Sequence, residues 1–132
     1  MIFEGEYLLG KRHFKGKEYY REIEKLKFEG EYLFGVRNGK GKQFDKKENL
    51  IFKGEYLNGK KIGKGKEYYD TRKIKYEGEY LNNKRNGKGK EYYNNNKLKF
   101  DEEYLNGEKN GKAKEYYNNN IKIWRWIPQT II

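Results

Sequence analysis

Residues 76–99 read YEGEYLNNKRNGKGKEYYNNNKLK, and the fold follows from this stretch because the rest of the chain repeats it. The aromatic that opens each copy falls at Phe3, Phe28, Phe52, Tyr76, Phe100 and Trp124, at spacings of 25, 24, 24, 24 and 24 residues. A period in that range belongs to stacked supersecondary units rather than to one irregular core. Within a copy, rings alternate with polar or charged side chains through YEGEYL, a Gly/Asn-rich turn follows, and GKGKEYY comes after it. Period-two alternation leading into such a turn predicts a β-hairpin. The NNNK-type link to the next copy is turn chemistry as well, since Asn tolerates the left-handed backbone that tight turns demand. The hairpins are therefore predicted to run on into one antiparallel meander, an all-β, elongated, single-layer twisted sheet of five hairpins with a degenerate strand at 121–127.

The run F/Y-E-G-E-Y followed seven residues later by Gly-x-Gly, at this period, resembles the MORN repeat. The copies at Phe28 (FEGEYLFGVRNGKG), Phe52 (FKGEYLNGKKIGKG) and Tyr76 (YEGEYLNNKRNGKG) carry the likeness most fully. The first copy has Phe14 where the others have the first Gly of Gly-x-Gly. The fifth has Glu102 for the early Gly and Ala113 for the last, departures that suit terminal capping copies. The 24-residue period makes this a longer-turn variant of the family pattern. The chain divides, on this reading, into five repeats over 1–123, beginning at 3, 28, 52, 76 and 100, and a C-terminal capping strand or tail over 124–132. What the resemblance implies is a sheet used for attachment, not a chemistry.

Composition alone leans toward disorder: 132 residues, net charge +11, 39% charged and only 34% hydrophobic. The balance is reversed by the 17% of residues that are aromatic, 14 of them Tyr, recurring in register. The absence of Cys removes disulfides and thiolate metal sites and fits a reducing compartment. No apolar run approaches 18 residues and the start is not signal-like, so the expected location is cytoplasmic, membrane-peripheral if the basic turns bind lipid. With no Ser, no Cys and a single His13, Ser/His and Cys/His nucleophilic schemes fall away. His13 is read as a turn residue. The GKGK segments lack the GK[ST] of a phosphate loop and lead into strands, not helices. Glu18, Glu67, Glu91 and Glu115 recur once per copy, as the repeat itself requires. No catalytic residue, metal ligand or cofactor is assigned, and the chain is read as non-enzymatic.

If the links close as two-residue turns, Phe28, Tyr32, Phe52, Tyr56, Tyr76, Tyr80, Phe100 and Tyr104 share one face with Leu50, Ile74 and Leu98, joined by Tyr69, Tyr93 and Tyr117. Gly65 and Gly89 are placed opposite Tyr56 and Tyr80 of their own hairpins, leaving room for a ring across the backbone. On the other face Lys64 meets Glu79, Lys66 meets Glu77, Lys88 meets Glu103 and Lys90 meets Asp101, a ladder that fixes register more than it adds stability.

The excess positive charge lies in the turns, at Lys11, Arg12, Arg37, Lys60, Lys61, Lys84, Arg85 and Lys109 on one edge and Lys46, Lys47, Arg72, Lys73 and Lys97 on the other. Two functions stand on this pattern. In the first, a protein-interaction scaffold receives a helix, a peptide or a second copy on the ring face formed by the eight aromatics above. Its ends, at Phe3, Trp124, Trp126 and Ile127, then serve as partner or homodimer contacts through open strand edges. In the second, an adaptor uses Arg37, Lys60, Lys61, Lys84, Arg85 and Lys109 on an anionic membrane surface, where each cation contributes about 1 kcal/mol. Nucleic acid is disfavoured, since the rings that could stack on bases share the packed face with Leu and Ile and no recognition module is present.

Overall fold

The computed structural model describes residues 2–117 and 120–126. The strands are β1 (Ile2–Leu8), β2 (Lys11–Tyr20), β3 (Lys25–Leu33), β4 (Val36–Phe44), β5 (Leu50–Leu57), β6 (Lys60–Tyr68), β7 (Ile74–Leu81), β8 (Lys84–Tyr92), β9 (Leu98–Leu105), β10 (Glu108–Lys109), β11 (Gly111–Tyr117) and β12 (Asn120–Trp126). They form one antiparallel sheet in chain order, with the short β10 pairing back to β9 beside β11. β12 pairs with β11 from Tyr117↔Asn120 to Gly111↔Trp126 and so crosses the expected boundary between residues 123 and 124. Ile127 and the tail after it lie outside the described residues.

Two kinds of turn build the meander. Inside a repeat the connection has two residues with positive φ, as at Asn58 (49°) and Gly59 (83°), which is the type I′ geometry whose twist matches that of paired strands. At the three middle links between repeats, β4–β5, β6–β7 and β8–β9, the expected two-residue turn is replaced by a three-residue loop. Tyr69 N–H donates to the Lys73 carbonyl and Arg72 N–H to the Tyr69 carbonyl, each at 2.9 Å, with Arg72 left-handed at φ 70°. A bulge between Glu67 and Tyr68 absorbs the extra residue. The register beyond it is therefore the one a two-residue turn would have set, and Lys64↔Glu79, Lys66↔Glu77, Lys88↔Glu103 and Lys90↔Asp101 face one another as expected.

A second irregularity inside each hairpin corrects the expected placement of the glycines. The pairing Gly54↔Gly65 is followed by Glu55↔Ile62, so Gly65 faces Gly54 and Gly78 instead of Tyr56, and Gly89 faces Gly78 and Glu102 instead of Tyr80. Amides displaced from the ladder by this bulge are taken up by side chains: Lys40 and Lys88 N–H donate to the Glu31 and Glu79 carboxylates at 2.6 Å. The packing reason for glycine holds with a different ring. A Cβ on Gly41 would lie 2.5 Å from Phe28 Cζ and one on Gly65 2.8 Å from Phe52 Cζ, so the first ring of each hairpin lies across the glycine row.

The core is a continuous zigzag of rings. From Phe3 through Tyr32, Phe28, Tyr56, Phe52, Tyr80 and Tyr76 to Tyr104, successive centroids are 5.1–5.9 Å apart and the planes meet at 83–89°. This edge-to-face geometry sets the positive ring edge against the negative face and contributes about 0.5–1.5 kcal/mol per pair beyond area burial. A separate seam joins the repeats at the far ends of the strands, where the hydroxyls of Tyr20, Tyr69 and Tyr93 donate to the carbonyls of Phe44, Tyr92 and Tyr116 at 2.7–3.1 Å.

Candidate functional site

The ring face is closed, although among the described residues no helix or second sheet covers it. The eight rings expected to receive a partner are 0–7% exposed. Burial on that scale leaves them no surface to offer. The missing layer is supplied by one cation per repeat which, expected in the turn, is instead the second residue of the strand that follows it and lies over the first ring of its own hairpin. Arg12 stands 4.4 Å over Phe3, Arg37 3.9 Å over Phe28, Lys61 4.1 Å over Phe52, Arg85 4.0 Å over Tyr76 and Lys109 3.7 Å over Phe100. A guanidinium suits this role because its flat, weakly hydrated face stacks on a ring while its edge still donates hydrogen bonds.

Those hydrogen bonds go to the carboxylates that recur once per repeat. Arg37 donates to Glu18 in bidentate fashion at 2.8 and 3.2 Å, and Arg85 grips Glu67 likewise at 2.9 and 3.0 Å. The Tyr32 hydroxyl donates to Glu18 and that of Tyr80 to Glu67, while Arg85 and Tyr104 both reach Glu91 at 2.8 Å. Burial pushes the Glu18 and Glu67 carboxyls up, but the arginine and tyrosine donors outweigh it and hold both below the usual carboxylate range. Burial, with the carboxylate in Tyr32 and Tyr80, raises the phenols; Tyr56 is pushed up to about 12 mainly by burial. In the middle repeat the acid is replaced by an amide and the arginine by a lysine. Gln43 takes the Tyr56 hydroxyl at 3.1 Å, and burial holds the ammonium of Lys61 below its ordinary value.

Four of the six residues expected to meet an anionic surface are thus committed internally. Arg37 and Arg85 are ion-paired and stacked, Lys61 is half-buried over Phe52, and Lys109 lies over Phe100 at 3.8 Å from Glu91 and 3.6 Å from Glu102. Lys60 and Lys84 remain exposed. The sequence carried a signal for this arrangement that charge counting missed: Arg12, Arg37, Lys61, Arg85 and Lys109 fall at one phase of the repeat, which marks a structural position rather than a diffuse basic turn.

The open site is on the other face. A groove of about 1400 Å³ runs from Glu4 on β1 to Lys114 on β11, its floor the backbone of the glycine row and its walls the Lys/Glu ladder. Strands about 4.8 Å apart make it roughly 45 Å long. From sequence alone this face is expected to be solvated, since isolated exposed charges rarely report function.

The remaining expectations sort as follows. His13 lies on β2, not in a turn, and is buried with Nδ1 accepting the Phe34 amide at 3.3 Å. Glu102, in place of the early glycine, is buried on the ring face, accepts the Tyr104 hydroxyl at 2.6 Å and is raised by burial above the ordinary carboxylate range. Phe3 packs on the ring zigzag through Tyr32. Trp124 stands opposite Ala113 and donates from Nε1 to Glu115 at 3.0 Å, while Ile121 and Ile123 are exposed on β12. Among the described residues there is no cluster fit to hold a metal, and no helix long and apolar enough to cross a membrane.

These features define an open β-hairpin array with one sealed face and one grooved face. The MORN repeat matches at residues 3–22, 28–45, 52–72, 76–97 and 103–121, and the chain belongs to the MORN repeat family. Repeats of this family are scaffolds associated with protein and membrane interactions. Comparison with curated proteins gives no match. Among solved structures, one described as a GtfA/B complex bound to UDP and GlcNAc is similar at a TM-score of 0.38 and 11% identity, over 94% of this chain and 23% of that one. The chain spans less than a quarter of that structure's length, and a likeness so distant carries no functional argument.

Proposed function

We propose that the chain is a binding scaffold that takes a polypeptide partner along the Lys/Glu groove. The observation that carries this reading is the division of labour between the faces: the rings are spent on the chain's own core, while the groove stays open over ten of the strands. A partner lying there meets charge of both signs and a floor of glycine backbone, features that suit a chain with its own pattern of side chains. The commitment of Arg37, Lys61, Arg85 and Lys109 to rings and carboxylates argues against the membrane reading, because those cations would have to leave buried pairs to reach lipid. The test is affinity capture from the native source with the chain and with a groove variant, Lys64→Glu with Lys88→Glu, beside sedimentation with phosphatidylserine vesicles. A partner lost by the groove variant supports the proposal. Equal capture by both forms, together with salt-sensitive vesicle binding, refutes it.

A further inference from the structure

One row of the groove can be followed from strand to strand through the register, beginning at Glu4↔Lys17 and ending at Asp101↔Lys114. Along it a β-hairpin's first strand supplies an acid and its second a lysine, so that every acid inside the edge strand faces lysine on both sides. The rule breaks once. β5 supplies Lys53 where β3 and β7 supply Glu29 and Glu77, and Lys42, Lys53 and Lys66 stand directly side by side. At strand spacing the three Cα atoms fall within about 10 Å of one another. Like charges directly opposite are destabilising in a sheet. A glutamate at 53 would have relieved them, yet none of the three ammonium groups makes an ion pair or hydrogen bond among the described residues. The surplus sits at mid-groove, with the compensated ladder on both sides.

Building on the groove reading above, we propose that Lys42, Lys53 and Lys66 form an anion subsite that receives an aspartate or glutamate side chain of an acidic segment docked along the groove. A polypeptide fits better than a bilayer. The subsite is three lysines wide and bounded by Glu29 and Glu77, which repel the flat, extended anionic face of a bilayer, whereas a short acidic chain can set one carboxylate at Lys53 and turn its remaining side chains away from the flanking acids. The lone break in the charge ladder then sets where along the groove the partner stops sliding, as an interface charge pair fixes register.

The experiment uses the full chain with hexaglutamate as the probe, inorganic phosphate at matched ionic strength as a second arm and phosphatidylserine vesicles as a third, read by amide chemical-shift titration. Lys53→Glu restores the charge alternation of the neighbouring repeats, so it is expected to fold with an equal or higher melting temperature. Lys73→Glu, in an exposed link, makes the same change of net charge. Hexaglutamate should shift amides around residues 41–43, 53–54 and 65–66. Lys53→Glu should weaken it at least about tenfold, equivalent to about 1.4 kcal/mol, and Lys73→Glu less than about twofold, as exposed charges contribute little. If the groove amides shift but both variants weaken binding equally, the subsite is wrong while the groove stands. If phosphate or vesicles occupy the same amides as tightly as the peptide, the polypeptide occupant is wrong. If hexaglutamate shifts only the turns, or nothing, the subsite is wrong, and the capture experiment decides the groove separately.

Discussion

Replacing Tyr80 by Ala tests the claim that a single layer of rings under stacked cations holds this sheet together. The ring is 5% exposed, meets Phe52 at 5.2 Å and Tyr76 at 5.7 Å edge to face, and donates its hydroxyl to Glu67. Truncating a buried aromatic costs about 3–5 kcal/mol, and the two ring pairs account for about 1–3 kcal/mol of it. Tyr80→Phe separates the parts: it keeps the zigzag and removes one hydrogen bond to a carboxylate, for about 1.5–3 kcal/mol. Lys88→Ala, on the exposed face across from Glu103, should cost well under 1 kcal/mol. Urea unfolding followed by circular dichroism measures all three. Because a repeat array is stabilised by nearest-neighbour interfaces, Tyr80→Ala should also lower the slope of the transition if it uncouples the halves of the sheet. A Tyr80→Ala protein within 1 kcal/mol of Lys88→Ala would refute the assignment of the core to the ring face.

Arg85→Ala should cost about 3 kcal/mol in the same assay, because it leaves Glu67 without its ion-pair partner and Glu91 with Lys109 alone. Combining Gln43→Glu with Lys61→Arg rebuilds that pair in the middle repeat, and a double-mutant cycle should return a favourable coupling of about 1–2 kcal/mol. Glu102 has a folded-state pKa raised by burial, so its contribution is fully present below the unfolded carboxylate range and is lost as pH rises through the folded value. Glu102→Gln should therefore raise the melting temperature at neutral pH, with the gain vanishing in acid. Glu18 is depressed, so its contribution has the opposite sign: Glu18→Gln should destabilise at neutral pH, with the loss shrinking as pH falls through the folded value. Small-angle scattering of monomeric protein should give an elongated particle; a spherical envelope would contradict an open sheet of this strand order.

Period and alternation determined the strands, the antiparallel order and the charge ladder, because a side-chain period of two leaves a strand no choice of face once one ring is placed. The inter-repeat register was legible for a narrower reason: a bulge at Glu67 and Tyr68 cancelled the extra turn residue. Inside the hairpins no such cancellation occurs, and only the folded backbone reveals that Gly65 faces Gly54 and that Phe52 lies across the glycines. The site was the least legible part. In sequence, Arg37 and Arg85 are charges in turns, and the rings are a face awaiting a cover. Folding carries each of these cations back over a ring and sets Arg37, Arg85 and Lys109 beside a carboxylate contributed by the preceding hairpin, a contact between residues 18 or 19 positions apart. That closure depends on how far the hairpin curls, which no local pattern encodes, and it is what turns the apparent docking face into a core and leaves the Lys/Glu face open.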